Sequence, residues 1–405
     1  MRYLFLWIFG GIVYFFFTDK TFESVIGSLT ALIVCCFSAL LVNKLAIKKI
    51  AYVFFFTITL TSLLGITETL TGSHAVSTQP FLFGLSFYTA SLAYLIYTEK
   101  KINMTHVAKV SNPLLLATGP IALFIKDYRY RSFFKRFNYY FPYIIVGLFF
   151  YQIIAVPITK AFDLIDYTDL VSSLTFAIIF EIFVYANFCG LSLIIFGLFG
   201  LFGYKVPLNF RQPFTSTNLV DFWKGWHVSL SPVLKELFYK PLRKRYPASI
   251  ALIGVYLASA LWHGVSFNFL LWGLFHALMF IFTIFLLKKQ IKYLPVLIMI
   301  MAVIFGRLLF ADSQSNRLLE KLTFSYQGFE PVKLFFSELP GLTEKSIILG
   351  FIFILIEFFC RNFKSVAKRN YKYLRTPSAL FFLILIGIIF VSSDTGVNFA
   401  VYGQR

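Results

Sequence analysis

The feature that most constrains this chain is a series of apolar runs long enough to cross roughly 30 Å of hydrocarbon. They lie near residues 3–17, 25–43, 51–66, 79–97, 139–158, 172–201, 249–266, 268–287, 293–312, 346–360 and 379–393. Composition points the same way. Of 405 residues, 59% are hydrophobic and only 14% charged, against about 25% charged in a soluble domain. Disordered proteins, disulfide-stapled secreted domains and ordinary cytosolic enzymes are excluded. The expected fold is all-α: one polytopic membrane domain over residues 1–405.

The formal charge of +19 would suggest nucleic acid in a soluble protein. Here the basic residues sit in short loops between apolar runs, where they set orientation and meet anionic lipid headgroups. No nucleic-acid partner is expected. Lys44, Lys48 and Lys49 follow the second run, while the loop after the third holds Glu68 and no Lys or Arg. Lys160 is outnumbered by Asp163, Asp166 and Asp169, and residues 361–375 carry six Lys or Arg. The positive-inside rule then gives about eleven transmembrane helices in a bacterial cytoplasmic membrane, N-terminus in and C-terminus out. Tyr3 to Phe17 follows Arg2 without a small-residue cleavage site before Asp19, so it reads as a retained first span. Cys35, Cys36, Cys189 and Cys360 all fall in apolar runs without metal-ligand spacing and read as packing residues.

Two places break the pattern. Residues 112–125 are apolar, too short to span and basic on both flanks, which predicts a re-entrant segment. The run 172–201 would be about 45 Å long as a helix and contains Glu181, Asn187 and Gly190, so a tilt or break is expected there. Irregular backbone at membrane depth is tolerated only inside protein or along a watery cavity. The helices are therefore expected to surround an internal tunnel.

Residues 204–248 form the longest polar interruption, with the periodicity of helices lying in the cytoplasmic interface. Leu219, Phe222, Trp223, Trp226 and Leu230 share one helical face, with Asn218 as N-cap. Ser231-Pro232 predicts a restart, serine as cap and proline at the first helical position. His227 falls within the first of these helices, where an imidazole at headgroup level is the plainer reading. Trp262-His263-Gly264 instead ends an uninterrupted apolar run, and an ionisable group there is a functional candidate by default. His276 reads as a packing or supporting residue, and His74 and His106 as loop residues.

The chemistry open to His263 is narrow. No HExxH motif, Cys/His cluster or paired carboxylates accompany it, so a metal site or glycoside hydrolysis lacks its ligands or acids. The sequence also lacks the nucleophile elbow GxSxG. What remains is an imidazole, with an ordinary pKa of about 6.5, used as a general base.

At this point the residues resemble the membrane-bound O-acyltransferases, especially the bacterial branch of alginate O-acetylase and teichoic-acid D-alanyl transferase. The resemblance rests on Asn209-Phe210-Arg211-Gln212-Pro213-Phe214, then Asp221-Phe222-Trp223-Lys224-Gly225-Trp226-His227-Val228-Ser229-Leu230-Ser231. It continues through Leu261-Trp262-His263-Gly264 and Leu271-Trp272-Gly273-Leu274-Phe275-His276. Flanking likeness in Gly84 to Tyr88, Ala117 to Ile121 and Phe305-Gly306-Arg307 extends it over a core of residues 80–312. Asn187 stands where relatives often carry an aspartate, and Ala277 where a glycine usually follows the last histidine.

The resemblance implies that His263 is the catalytic histidine and His227 the second signature position. Trp223, Trp226, Trp262, Asn268, Asn187 and His276 are further candidates for lining the substrate site; no oxyanion donor is marked by a motif, and Asn268 and Asn187 are offered for that role only as guesses. It implies no bound cofactor and no metal, with an acyl thioester of coenzyme A or a carrier protein as donor. The implied acceptor is a hydroxyl of an exported or cell-envelope polysaccharide, or a partner transferase outside the cytoplasm, and acetyl is the expected group. D-alanyl transfer, a transporter or flippase, and a non-catalytic scaffold for polymer assembly are the competing readings.

Overall fold

The computed structural model describes residues 2–17, parts of 29–43, 48–57, 80–99, 101–116, 121, 126–127, 132–164, 169–311, 325–359 and 369–391. Within these, helices follow the apolar runs. They are α1 (Arg2–Phe17), α2 (Ile50–Phe55), α3 (Pro80–Thr98), α4 (Met104–Val110), α5 (Phe133–Leu148) and α6 (Leu170–Leu201). Within the polar interruption come α7 (Leu219–Gly225), α8 (Leu230–Leu234) and α9 (Lys240–Arg243), and after it α10 (Ala248–His263), α11 (Phe267–Lys288) and α12 (Leu294–Phe310). The C-terminal part adds α13 (Glu330–Glu338), α14 (Gly341–Phe359) and α15 (Pro377–Val391). Much of the 25–43 run, most of the 51–66 run and His74 lie outside the described residues. Among the described residues, three helical stretches have the length and apolarity to cross a membrane: Phe133–Phe162, Leu170–Leu201 and Phe267–Lys288.

Helix α6 is hydrophobic all round, the signature of an inner helix. In its most apolar stretch 89% of the residues are buried, against 33% in α11, which faces outward. Asp169 caps α6, its carboxylate accepting from Val171 N–H at 2.8 Å and Ser172 N–H at 3.3 Å. The break expected at Glu181, Asn187 and Gly190 does not occur; all 32 residues form one continuous helix. The polar side chains there are accommodated by neighbouring helices, so the backbone has no need to open. Gly190 serves helix packing instead. A Cβ on it would lie 2.8 Å from Gly147 O, and one on Gly147 would lie 2.6 Å from Gly190 O. Only glycine on both sides lets α5 and α6 touch backbone to backbone. Past Leu148, α5 continues through a π-helical stretch, Phe149–Ala155.

Of the segment expected to be re-entrant, Pro113–Leu116 forms one 3₁₀ turn. Ala117 to Pro120 and residues 122–125 lie outside the described residues. A two-residue ladder pairs β1 (Lys126–Asp127) with β2 (Tyr204–Lys205), antiparallel. His106 is not in a loop: it opens α4, completing a capping box with Asn103.

The segment after α14 docks back onto the polar interruption. Tyr371 N–H donates to Gln212 Oε1 at 2.7 Å, and Arg369 Nη1 donates to Ser216 Oγ at 2.7 Å. Beneath them, Tyr185 OH donates to Glu357 Oε1 at 2.6 Å and lies 3.0 Å from Tyr371 OH. Cys189 is part of this buried polar knot, its Sγ 3.0 Å from Tyr371 OH. It is more than the packing residue its apolar run suggests.

Candidate functional site

The polar interruption folds differently from its periodicity. Asn218 is the N-cap of α7, accepting from Asp221 N–H at 2.9 Å, but α7 ends at Gly225. Trp226 is extended, and His227 takes the left-handed conformation, φ 45°. That conformation costs an L-residue roughly 1–2 kcal/mol and is rare enough to demand local support. The support comes from Asn209. Its carbonyl accepts from Val228 N–H at 2.8 Å, and its Oδ1 accepts from Ser229 N–H at 3.1 Å and Ser229 Oγ at 2.8 Å. Arg211 N–H donates to Gly225 O at 2.8 Å on the other side of the turn. Ser229 Oγ in turn accepts from Ile121 N–H at 3.1 Å. The helix therefore restarts at Leu230, with Ser231 and Pro232 inside its first turn and not at its boundary.

This turn drives His227 inward. The side chain is buried, and among the described residues neither ring nitrogen has a hydrogen-bond partner. Burial pushes its pKa down to about 3, because a charged imidazolium is disfavoured away from water. The ring stacks on Phe87 at 5.7 Å and meets Phe188 edge-on at 4.9 Å.

His263 is the last residue of α10 and is half-buried. No hydrogen bond reaches its ring among the described residues. Aromatic rings wall it: Trp262 at 5.0 Å, Phe310 at 4.9 Å, Trp272 at 5.6 Å and Phe269 at 6.0 Å between centroids.

The histidines and three tryptophans form one alternating row. His227 lies 6.1 Å from Trp262, which lies 5.0 Å from His263. His263 lies 5.6 Å from Trp272, which lies 4.9 Å from His276, and His276 lies 5.2 Å from Trp223. Three sequence-distant signatures thus converge. Trp262 is fixed by its indole N–H, which donates to Ser86 O at 3.2 Å. His276 is buried against α12, where any Cβ on Gly306 would collide with its Nε2.

Of the expected lining residues, Trp223, Trp262 and His276 join the histidines in this row. Trp226 turns away from it, packing on Phe210 at 4.9 Å and Phe222 at 5.5 Å. Asn268 is committed to structure: it accepts from Ser266 Oγ, and its Nδ2 donates to Phe310 O at 3.4 Å. Asn187 is buried in the middle of α6. Trp272, Phe87 and Phe310 were not singled out from sequence. The first two lie inside the quoted motifs, a signal that could have found them. Phe310 is three residues beyond Arg307, and nothing local marks it.

Residues 51–292 match the sequence model of the membrane-bound O-acyltransferase family. The chain is 38% identical over 100 residues to the peptidoglycan O-acetyltransferase of Helicobacter pylori, covering 24% of this chain and 18% of that protein. It is 28% identical over 169 residues to the teichoic acid D-alanyltransferase of Bacillus subtilis, covering 38% and 43%. It is 32% identical over 99 residues to the probable alginate O-acetylase of Pseudomonas putida, covering 24% and 20%. The aligned stretches thus span less than half the length of each of these relatives.

Proposed function

Because this chain belongs to the membrane-bound O-acyltransferase family, we propose that it moves an acyl group from a cytoplasmic thioester to a hydroxyl of a cell-envelope or exported polysaccharide, or to a partner transferase. The observation that carries this reading is the placement of His263, half-buried at the end of α10 in a row of imidazoles and indoles. In this reading eleven spans enclose a passage, and the N-terminus faces the cytoplasm of a bacterial inner membrane. The thioester of coenzyme A or a carrier protein enters near the basic interfacial helices.

His263 accepts the proton of the attacking hydroxyl as its oxygen adds to the thioester carbonyl. Collapse of the tetrahedral intermediate breaks the C–S bond, and the imidazolium returns the proton to the departing thiolate. Ester and thiol are the products, and the base is regenerated. Such a base contributes roughly 10²- to 10⁴-fold in rate. The aromatic walls limit water at the thioester, which protects it from hydrolysis.

Acetyl is the group we favour. D-alanyl transfer is the second reading, favoured by the longer alignment, 169 residues, with the Bacillus subtilis protein. Mass spectrometry of envelope polymers from wild-type and His263→Ala cells tests both. Loss of an acetyl ester supports the first reading and loss of an alanyl ester the second. Unchanged acylation of every polymer refutes the transferase role.

A further inference from the structure

Besides the row of histidines, the core holds a buried ion pair between helices far apart in sequence. Arg307 of α12 donates through Nε to Glu181 of α6, and both residues are buried. Charges at such a depth are costly, and removing one partner leaves the other stranded. The surroundings of Arg307 show what the pair is placed to hold. Its guanidinium lies 5.0 Å from the centroid of Trp226 and 5.9 Å from that of Phe310. Trp226 immediately precedes His227, and Phe310 packs edge-on against the His263 ring at 4.9 Å. One guanidinium therefore meets the aromatic neighbour of each histidine segment, and Glu181 ties it to the central helix. Glu181 Oε1 is buried without a hydrogen-bond partner among the described residues, so the carboxylate is held by the arginine and not by a wider polar net.

We propose that Arg307, clamped by Glu181, is a positioning residue of the transfer site, fixing the separation of the His227 and His263 segments through the Trp226 and Phe310 rings. This rests on the acyltransferase reading above. The planar guanidinium is what allows one side chain to pair with a carboxylate and lie against two rings; an ammonium keeps the charge but not the shape.

The test is acyl transfer by purified full-length protein in detergent, using acetyl-coenzyme A and a polysaccharide acceptor, with the thermal midpoint measured in parallel. Replacing a buried pair by apolar residues of similar volume is often neutral for stability, so E181L/R307M is expected to insert and keep its midpoint. Its kcat is expected to fall roughly 10²-fold, with the donor KM moving less than about threefold, as for a misplaced catalytic group. R307K is expected to remain impaired. In a W226F background the pair substitution should cost less than it does alone, because coupled residues are not additive. Wild-type kcat in E181L/R307M overturns the proposal. So does strict additivity with W226F, or a loss of kcat that merely tracks a loss of thermal midpoint. Wild-type protein that consumes no acyl thioester refutes the acyltransferase reading as well, whereas active wild type with an unaffected variant refutes this inference alone.

Discussion

The chain contains the dipeptide Trp-His twice, and the two copies are built in opposite ways. At 262–263 both residues belong to helix α10, and the imidazole sits half-buried at the helix end. At 226–227 the helix has already stopped, the histidine occupies a left-handed turn, and its ring is sealed among Phe87, Phe188 and Trp262. A helix end fixes a side chain cheaply, through backbone bonds that exist anyway. A left-handed turn requires outside support, and here Asn209 supplies three hydrogen bonds to the two residues after His227. The same two letters therefore specify a half-buried imidazole at a helix end in one copy and a buried imidazole held by its surroundings in the other.

The largest effect expected from this contrast is at the helix-end copy. His263→Ala should lower acyl transfer by roughly 10²- to 10⁴-fold while leaving membrane insertion intact; equal transfer rates for variant and wild type would remove it from the chemistry. The next concerns the support of the other copy. Asn209→Ala keeps the carbonyl that holds Val228 N–H but leaves the buried Ser229 N–H without its side-chain acceptor, and should cost about 1–3 kcal/mol of stability, read as a fall in thermal midpoint with reduced activity. An unshifted midpoint would show that the turn holds itself. Gly190→Ala, away from both copies, should destabilise by about 1–3 kcal/mol through overpacking against α5. A fully stable variant would mean that the two helices separate easily.

Near neutral pH the smallest effect is that of His227 on the pH dependence of stability. His227 is neutral in the folded protein because burial holds its pKa near about 3, whereas an unfolded histidine titrates at about 6.5. Between these values the unfolded chain binds the extra proton, so this residue's contribution is complete above about pH 6.5 and is lost as pH falls toward 3. His227→Gln should flatten the acid side of the stability curve. An unchanged slope would mean that the ring reaches water.

The helices were legible because lipid imposes a simple rule on length and polarity, and α5, α6, α10, α11 and α12 lie where the apolar runs place them. The intact course of α6 was not legible. Glu181 and Asn187 look disruptive until the helices packed around them are known, and Arg307 finds Glu181 across 126 positions. His263 stood out because a polar residue closing an apolar run is conspicuous. The halt of α7 at Gly225 was hidden, because Trp226 and Leu230 continue the apolar periodicity; the turn is enforced by Asn209, which local spacing does not reveal. Phe310 reaches the site only through tertiary packing.

The alternation of imidazoles and indoles also equips the protein with its own optical reporter. Protonated imidazole quenches indole emission at close range, and Trp262 and Trp272 sit 5.0 and 5.6 Å from His263. With five tryptophans in the chain, a proton on that ring is expected to dim the two beside it, so the proposed role of His263 as a base can be tested without any label.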